Sequence, residues 1–200
     1  DIVWSRHNHT LSWAKDGYLV VVDGVVQGVY QELPAEYEGI RIVDHTGKLV
    51  IPGMNDIHVH APQYSFLGMD LELLEWLNTH TFPEESKYAD LSYAERAYDI
   101  FTDDPLELAT TRAVVFGTMH VEPTELLMDK LEATGLKTYV GKVNMDRNSP
   151  DYLCEKDAAT SLADTVRWLN DVEAKGYANT KPILTPRFTP TCSDELMEGL

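Results

Sequence analysis

Between residues 52 and 60 the sequence reads Pro52-Gly53-Met54-Asn55-Asp56-Ile57-His58-Val59-His60. This segment gives the strongest indication of the fold and of a metal site. Side chains two positions apart on a strand point to the same face. His58 and His60 can therefore present two imidazoles to one metal ion, and neutral imidazole suits zinc. The pair lacks the third protein ligand that a zinc site needs. Two partly exposed histidines at a strand end remain the alternative.

The residues before this segment, 1–52, are typical of a small β domain. Two β-branched runs at 17–22 and 25–30 flank Asp23-Gly24, a dipeptide that strongly favours a tight hairpin. Further strands are predicted at 40–44 and 49–51, and Pro52-Gly53 ends the last of them. The β domain is small enough that it should pack against something larger.

After Gly53 the pattern changes to an alternation of strands and helices, which implies parallel βαβ units. Four such units are half of a (β/α)8 TIM-like barrel, so the predicted fold class is α/β, with a β domain at 1–52 and an incomplete barrel at 53–200. Pro105 is expected to interrupt or restart the second helix. The strands are predicted at 56–60, 110–118, 137–144 and 182–187, and the helices at about 71–78, 93–102, 123–135, 161–174 and from 193 onward.

Charge and composition narrow the classes of function. The net charge of −17 disfavours binding to a phosphate backbone, so no nucleic-acid partner is expected. No run approaches the ~20 apolar residues that cross a bilayer, and the N-terminus lacks a signal-peptide layout. Cys154 and Cys192 lie far apart and are expected to be reduced thiols of a cytoplasmic protein.

The motif and its setting resemble the amidohydrolase superfamily and, within it, the guanine deaminases. PGxxDxHxH follows a small β region and opens a β/α alternation, and the resemblance extends over nearly the whole chain in register. It is carried by the blocks His60-Ala61-Pro62-Gln63-Tyr64-Ser65-Phe66, Leu73-Leu74-Glu75-Trp76-Leu77, Thr81-Phe82-Pro83-Glu84, Tyr139-Val140-Gly141-Lys142-Val143-Asn144-Met145-Asp146 and Lys181-Pro182-Ile183-Leu184-Thr185-Pro186-Arg187-Phe188.

The resemblance implies a role for each matching position. His58 and His60 are expected to bind one Zn²⁺ ion per complete subunit, with His60 also lining the substrate site. Gln63 is expected to hydrogen-bond the purine, and Arg187 matches the O6/N7 edge of guanine. Phe188 and, more weakly, Trp76 are expected to line the pocket; the list of substrate-binding residues is thus His60, Gln63, Arg187, Phe188 and Trp76.

Outside that context these residue types have more ordinary interpretations. Gln63 alone would be a surface amide, and Arg187 a surface ion-pair partner. Trp76 lies at helical spacing from neighbouring leucines and is more often a core residue.

The implied reaction is hydrolytic deamination of guanine to xanthine and ammonia in a cytoplasmic homodimer. The resemblance also implies that the β domain is part of a composite β-sandwich. The family's proton-shuttling Glu, its metal-binding Asp and its later zinc-binding His come from strands beyond Leu200. The segment itself therefore holds no catalytic residue and is expected to be inactive alone. Two alternatives remain open: a related deaminase acting on a triazine or an adenosine derivative, and a non-catalytic interaction module.

Overall fold

A computed structural model describes residues 1–7, 9–107 and 109–200, with the backbone alone at Arg6 and at 104–107. The chain forms two compact units, Asp1–Gly53 and Met54–Leu200. The assignment of domains to 1–52 and 53–200 stays a prediction.

The first unit contains two antiparallel hairpins. Strand β1 (Ile2–His7) pairs with β2 (Thr10–Ala14), and β3 (Tyr18–Val22) pairs with β4 (Val25–Tyr30). At the second turn Asp23 and Gly24 have φ values of 50° and 76°. Positive φ at both central residues is what a tight type I′ hairpin requires, so the hairpin predicted from Asp-Gly is confirmed.

The strands predicted at 40–44 and 49–51 are wrong. The segment 41–45 has no regular structure, and Val50 makes one isolated bridge to Ile2. Ile42 and Val43 are 64% and 59% exposed. Their β-branched side chains favour extended backbone, but a strand also needs a neighbour for its amide and carbonyl groups, and that neighbour is missing from the described part of this unit.

The second unit is built on a parallel sheet. Its strands run in the order β5-β6-β7-β9, and a short extension pairs β8 with β10, also in parallel. The fold is thus mixed α/β with a parallel sheet. The strands are β5 (Met54–His60), β6 (Thr110–Phe116), β7 (Lys137–Gly141), β8 (Val143–Asn144), β9 (Thr180–Pro182) and β10 (Thr185–Pro186).

Helices connect these strands, as the alternation predicts. A π-turn at Leu77–Thr81 joins the first two short helices. The helices are α1 (Leu73–Trp76), α2 (Phe82–Ser86), α3 (Leu91–Glu107), α4 (Val121–Thr134), α5 (Ala158–Lys175) and α6 (Asp194–Gly199), and short 3₁₀ helices lie at Ala61–Phe66, Lys87–Ala89, Asp151–Leu153 and Thr189–Thr191.

The predicted interruption of the second helix at Pro105 is also wrong, because α3 continues to Glu107. A proline so close to the end of a helix removes one amide donor in the last turn, which costs less than the same change in the interior. Leu108, which follows α3, lies outside the described residues.

The core of the second unit lies between the sheet and the long helices. Tyr98 of α3, Leu127 of α4 and Trp168 of α5 are fully buried against Val115 and Val140 of the sheet. Among the described helices, none is both long and apolar enough to cross a bilayer.

Candidate active site

The two histidines of the motif lie side by side at the carboxyl end of β5. Their ring centroids are 5.1 Å apart at an interplanar angle of 65°. Phe116, at the carboxyl end of the neighbouring β6, stacks on the His60 ring at 4.4 Å and contacts the His58 ring at 5.0 Å. The parallel register pairs His60 with Phe116, which explains why the aromatic ring supports the imidazole.

The two imidazoles differ in environment. His58 is exposed, whereas His60 is half-buried and its Nδ1 atom is buried without a hydrogen-bond partner in the described structure. Burial, then the charges of Arg187 and His58, lowers the pKa of His60 to about 3. His60 is therefore neutral at pH 7, and the neutral ring is the form that binds a metal ion.

The histidine pair meets part of the requirement for a metal site. Within the described residues, no cluster of three or more His, Cys, Asp or Glu side chains is suited to hold a metal ion. Two imidazoles from one strand end, one with an unpartnered buried nitrogen, fit two positions of a tetrahedral zinc site and leave the others to further donors.

A second group of side chains joins Gln63 and Arg187 through Glu85. The Gln63 Nε2 atom donates to Glu85 Oε1 at 2.8 Å, and Arg187 Nη1 forms an ion pair with Glu85 Oε2. The side chains of Arg187 and Glu85 are only 4% and 3% exposed. The sequence thus identified two members of this group, and the structure shows that a buried carboxylate connects them.

Each member of this group comes from a different element. Gln63 lies in the 3₁₀ turn that directly follows β5, so it is three residues from His60. Arg187 directly follows β10, and its backbone N–H donates to the Asn144 carbonyl at 3.0 Å. Glu85 lies on α2. Gln63 and Arg187 thus follow the carboxyl ends of parallel strands, the usual position of ligand sites in α/β folds.

The two groups are electrostatically linked, since the Arg187 charge contributes to the lowered pKa of His60. The structure therefore pairs His58 with His60 and joins Gln63 to Arg187, and the Arg187 charge acts on His60. A strand-end pair of imidazoles beside a buried guanidinium and amide can combine metal binding with recognition of a small polar ring.

The two aromatic residues predicted for the pocket are placed differently. Phe188 follows Arg187, is 40% exposed, and accepts a hydrogen bond from the Thr191 amide through its carbonyl at 3.0 Å. The ring contact of Trp76 is an edge-on one with Phe66, with centroids 5.6 Å apart. Phe188 is thus the sequence neighbour of Arg187. Trp76 packs against Phe66 and is not part of the contacts among Gln63, Glu85 and Arg187.

Sequence reasoning missed Glu85 and Phe116. Glu85 follows another glutamate in Pro83-Glu84-Glu85-Ser86, and nothing local distinguishes the two acids. Phe116 could have been found from its position at the end of a buried strand that neighbours the His-x-His strand.

Known proteins resemble the chain closely in sequence and in structure. The chain is 43% identical over 195 residues to a guanine deaminase of Dictyostelium discoideum, covering 86% of this chain and 43% of that protein. It is 38% identical over 194 residues to guanine deaminase of Escherichia coli K12, covering 94% of this chain and 43% of that protein. A crystal structure of C. acetobutylicum guanine deaminase with guanine bound in its active site superimposes with a TM-score of 0.93 at 44% identity, covering 99% of this chain and 47% of that one.

The chain thus spans about 43% of the length of these curated relatives. The sequence pattern of the Amidohydrolase family matches residues 49–200, which is most of the chain and includes all the site residues described above. The chain therefore belongs to the amidohydrolase family.

Proposed function

We propose that the full-length protein containing this chain is a zinc-dependent guanine deaminase, which hydrolyses guanine to xanthine and ammonia. The observation that carries the proposal is the buried connection from Gln63 through Glu85 to Arg187, next to the paired imidazoles of His58 and His60. Sequence relatives named guanine deaminase support it, as does the similar solved structure with bound guanine.

His58 and His60 would hold the metal ion from one side. A bound zinc ion supplies Lewis-acid activation of water at neutral pH. The low pKa of His60 keeps its imidazole free of a competing proton, and Phe116 fixes the plane of the ring. The remaining metal donors and the acid–base residue would come from other parts of the full-length protein.

Gln63, Arg187 and Phe188 would recognise the base. Guanine presents the acceptors O6 and N7 on one edge, and a guanidinium donates to both in the pairing used to read guanine in DNA. The exposed Phe188 ring offers a face for stacking on the purine, and Trp76 would be a further wall of the pocket. Adenine lacks O6, so it would leave the buried donors of Arg187 unpaired and should be rejected.

We further infer that the parallel sheet is the first half of a (β/α)8 barrel and that the first unit contributes to a composite β-sandwich. The consecutive order of β5, β6, β7 and β9 supports the barrel. A homodimer in the cytoplasm, without a nucleic-acid or membrane partner, completes the proposal.

The test is a comparison of the purified full-length protein with its histidine variants. The wild type should convert guanine to xanthine, contain about one zinc per subunit, and act poorly on adenine and melamine. His58→Ala and His60→Ala should lose both zinc and turnover, whereas His45→Ala, which changes an exposed histidine of the first unit, should keep both. Preferred turnover of adenine or melamine, or full activity without metal, would reject the proposal.

A further inference from the structure

Glu85 divides its two carboxylate oxygens between two residues of the candidate site. Oε1 accepts a hydrogen bond from Gln63 Nε2 at 2.8 Å, and Oε2 pairs with Arg187 Nη1. The two partners follow different strands, and Arg187 lies 102 residues after Glu85 in the chain. The Glu85 side chain thus holds together Gln63 and Arg187, which are far apart in the sequence.

Burial makes this arrangement hard to change. The Glu85 side chain is 3% exposed and that of Arg187 is 4% exposed, so water cannot replace either partner. Breaking a buried charge pair leaves a desolvated charge behind, which is strongly unfavourable. Hydrogen bonds to ionised groups are also stronger and more directional than neutral ones.

The carboxylate also determines which atoms of Gln63 and Arg187 are turned towards it. An ionised carboxylate only accepts hydrogen bonds, so it selects the amide orientation in which Gln63 Nε2 faces Glu85. Gln63 Oε1 is then left as the acceptor of that side chain. Arg187 uses Nη1 on Glu85, and its remaining N–H groups stay available as donors. The pair therefore offers one acceptor beside several donors.

Helix α2 holds Glu85 in place. Phe82 lies three positions earlier on the same face of α2, is 5% exposed, and packs with Val143 and Met145. Its ring lies 5.7 Å from the Arg187 guanidinium carbon, within the range of a cation–π contact. The same short helix thus contacts Arg187 through both a carboxylate and an aromatic ring.

We propose that Glu85 is a positioning residue that sets the specificity of this site for guanine, an inference that rests on the proposed function. Guanine has a donor at N1 and acceptors at O6 and N7, which matches one acceptor and several donors. Adenine shares the N7 acceptor but has the opposite polarity at the other two positions, with an acceptor at N1 and a donor at the 6-amino group. By fixing the amide of Gln63 and the guanidinium of Arg187, Glu85 selects the first pattern.

The test is Glu85→Gln in the full-length protein, with Glu84→Gln as the matched control. Glu84 is the preceding residue of α2, but its carboxylate binds Lys87 and Tyr93 rather than the site. Glu85→Gln keeps the shape but allows the Gln63 amide to turn over. We expect the KM for guanine to rise by about 10- to 100-fold, with a smaller fall in kcat. The ratio of the inhibition constant of adenine to the KM of guanine should fall, and Glu84→Gln should match the wild type in both.

The outcomes separate this inference from the proposed function. A wild-type protein that does not deaminate guanine rejects the function. An active wild type, together with a folded Glu85→Gln variant of unchanged KM and unchanged selectivity, overturns the role of Glu85 alone, and so does a loss confined to kcat. If Glu85→Gln does not fold, Glu85→Asp replaces it under the same criteria, since it keeps the charge but is one methylene too short to reach both partners.

Discussion

Buried charges in the second unit are each held by several partners. Glu155, whose side chain is 5% exposed, accepts hydrogen bonds from Lys142 Nζ at 2.6 Å, the Met145 amide at 2.9 Å and the Ser161 hydroxyl at 2.6 Å. The Lys142 side chain is fully buried. This arrangement lies beside Asn144, whose carbonyl accepts the Arg187 amide, so it supports the backbone that carries the candidate site.

Replacing Glu155 with Gln should strongly destabilise the fold. The Lys142 ammonium would be left buried without a countercharge, and we expect a loss of about 3–5 kcal/mol in the free energy of unfolding. Urea unfolding, monitored by circular dichroism, measures this free energy for the variant and the wild type. The control is Glu122→Gln, which breaks an exposed ion pair with Arg167 at 2.7 Å and should cost about 0–1 kcal/mol. Equal losses for the two variants would contradict the argument.

Four residues of the candidate site could be predicted from the sequence. The buried carboxylate of Glu85 that joins two of them could not. His58, His60, Gln63 and Arg187 could be named because strand periodicity and family resemblance point to them. Glu85 could not, since burial distinguishes it from Glu84 and burial depends on β10 arriving from far along the chain. Tertiary contacts, rather than local pattern, decide which of two adjacent acids becomes part of a site.

Among the secondary-structure elements, strands β3 to β7 were predicted from the sequence, whereas the strands predicted at 40–44 and 49–51 do not form. Strand β6 carries the apolar run 113–116, and the hairpin at Asp23-Gly24 carries its own turn signal. The run at 40–44 has β-branched residues without a pairing partner, and it forms no strand. The π-turn at Leu77–Thr81, which directly precedes α2, has no sequence signal either, although such turns are frequent at functional sites.

Helix α4 and strand β9 are connected by one carboxylate, and this connection should depend on pH. Glu132 accepts hydrogen bonds from the backbone amides of Ala178, Asn179 and Thr180 at 2.8–2.9 Å. Burial raises the pKa of Glu132, but hydrogen bonds from these amides outweigh it, so the pKa is lowered from its ordinary value of 4.5. A depressed pKa in the folded state means that the stabilisation is present above pH 4.5 and is lost as the pH falls through the folded value.

Glu132→Gln should therefore make the stability of the fold less dependent on pH in the acid range. The wild type should lose stability below about pH 4.5 more steeply than the variant, because the variant has no proton to take up at this position. Thermal melting between pH 7 and pH 3 measures the difference. Glu195→Gln, a change in the exposed first turn of α6, serves as the control and should follow the wild type. Parallel curves for Glu132→Gln and the wild type would reject the role of Glu132.

For the molecule as a whole, the activity of this chain alone depends on how many donors it offers to the proposed zinc ion. The described residues supply two imidazoles and no cluster of three donors. The 200-residue chain alone, mixed with zinc and guanine, should therefore release no ammonia above the blank. The full-length protein in the same assay is the positive control. Turnover by the short chain at a comparable rate would show that two protein ligands suffice.

The ion pair between Glu85 and Arg187 also has a consequence for synthesis on the ribosome. Arg187 is translated 102 residues after Glu85, a delay of roughly 5–20 s at ordinary elongation rates. During that interval α2 cannot settle into its final position without burying a lone negative charge. We therefore expect the nascent chain to keep this helix in contact with water until β10 leaves the exit tunnel, so that the proposed recognition site assembles late in synthesis.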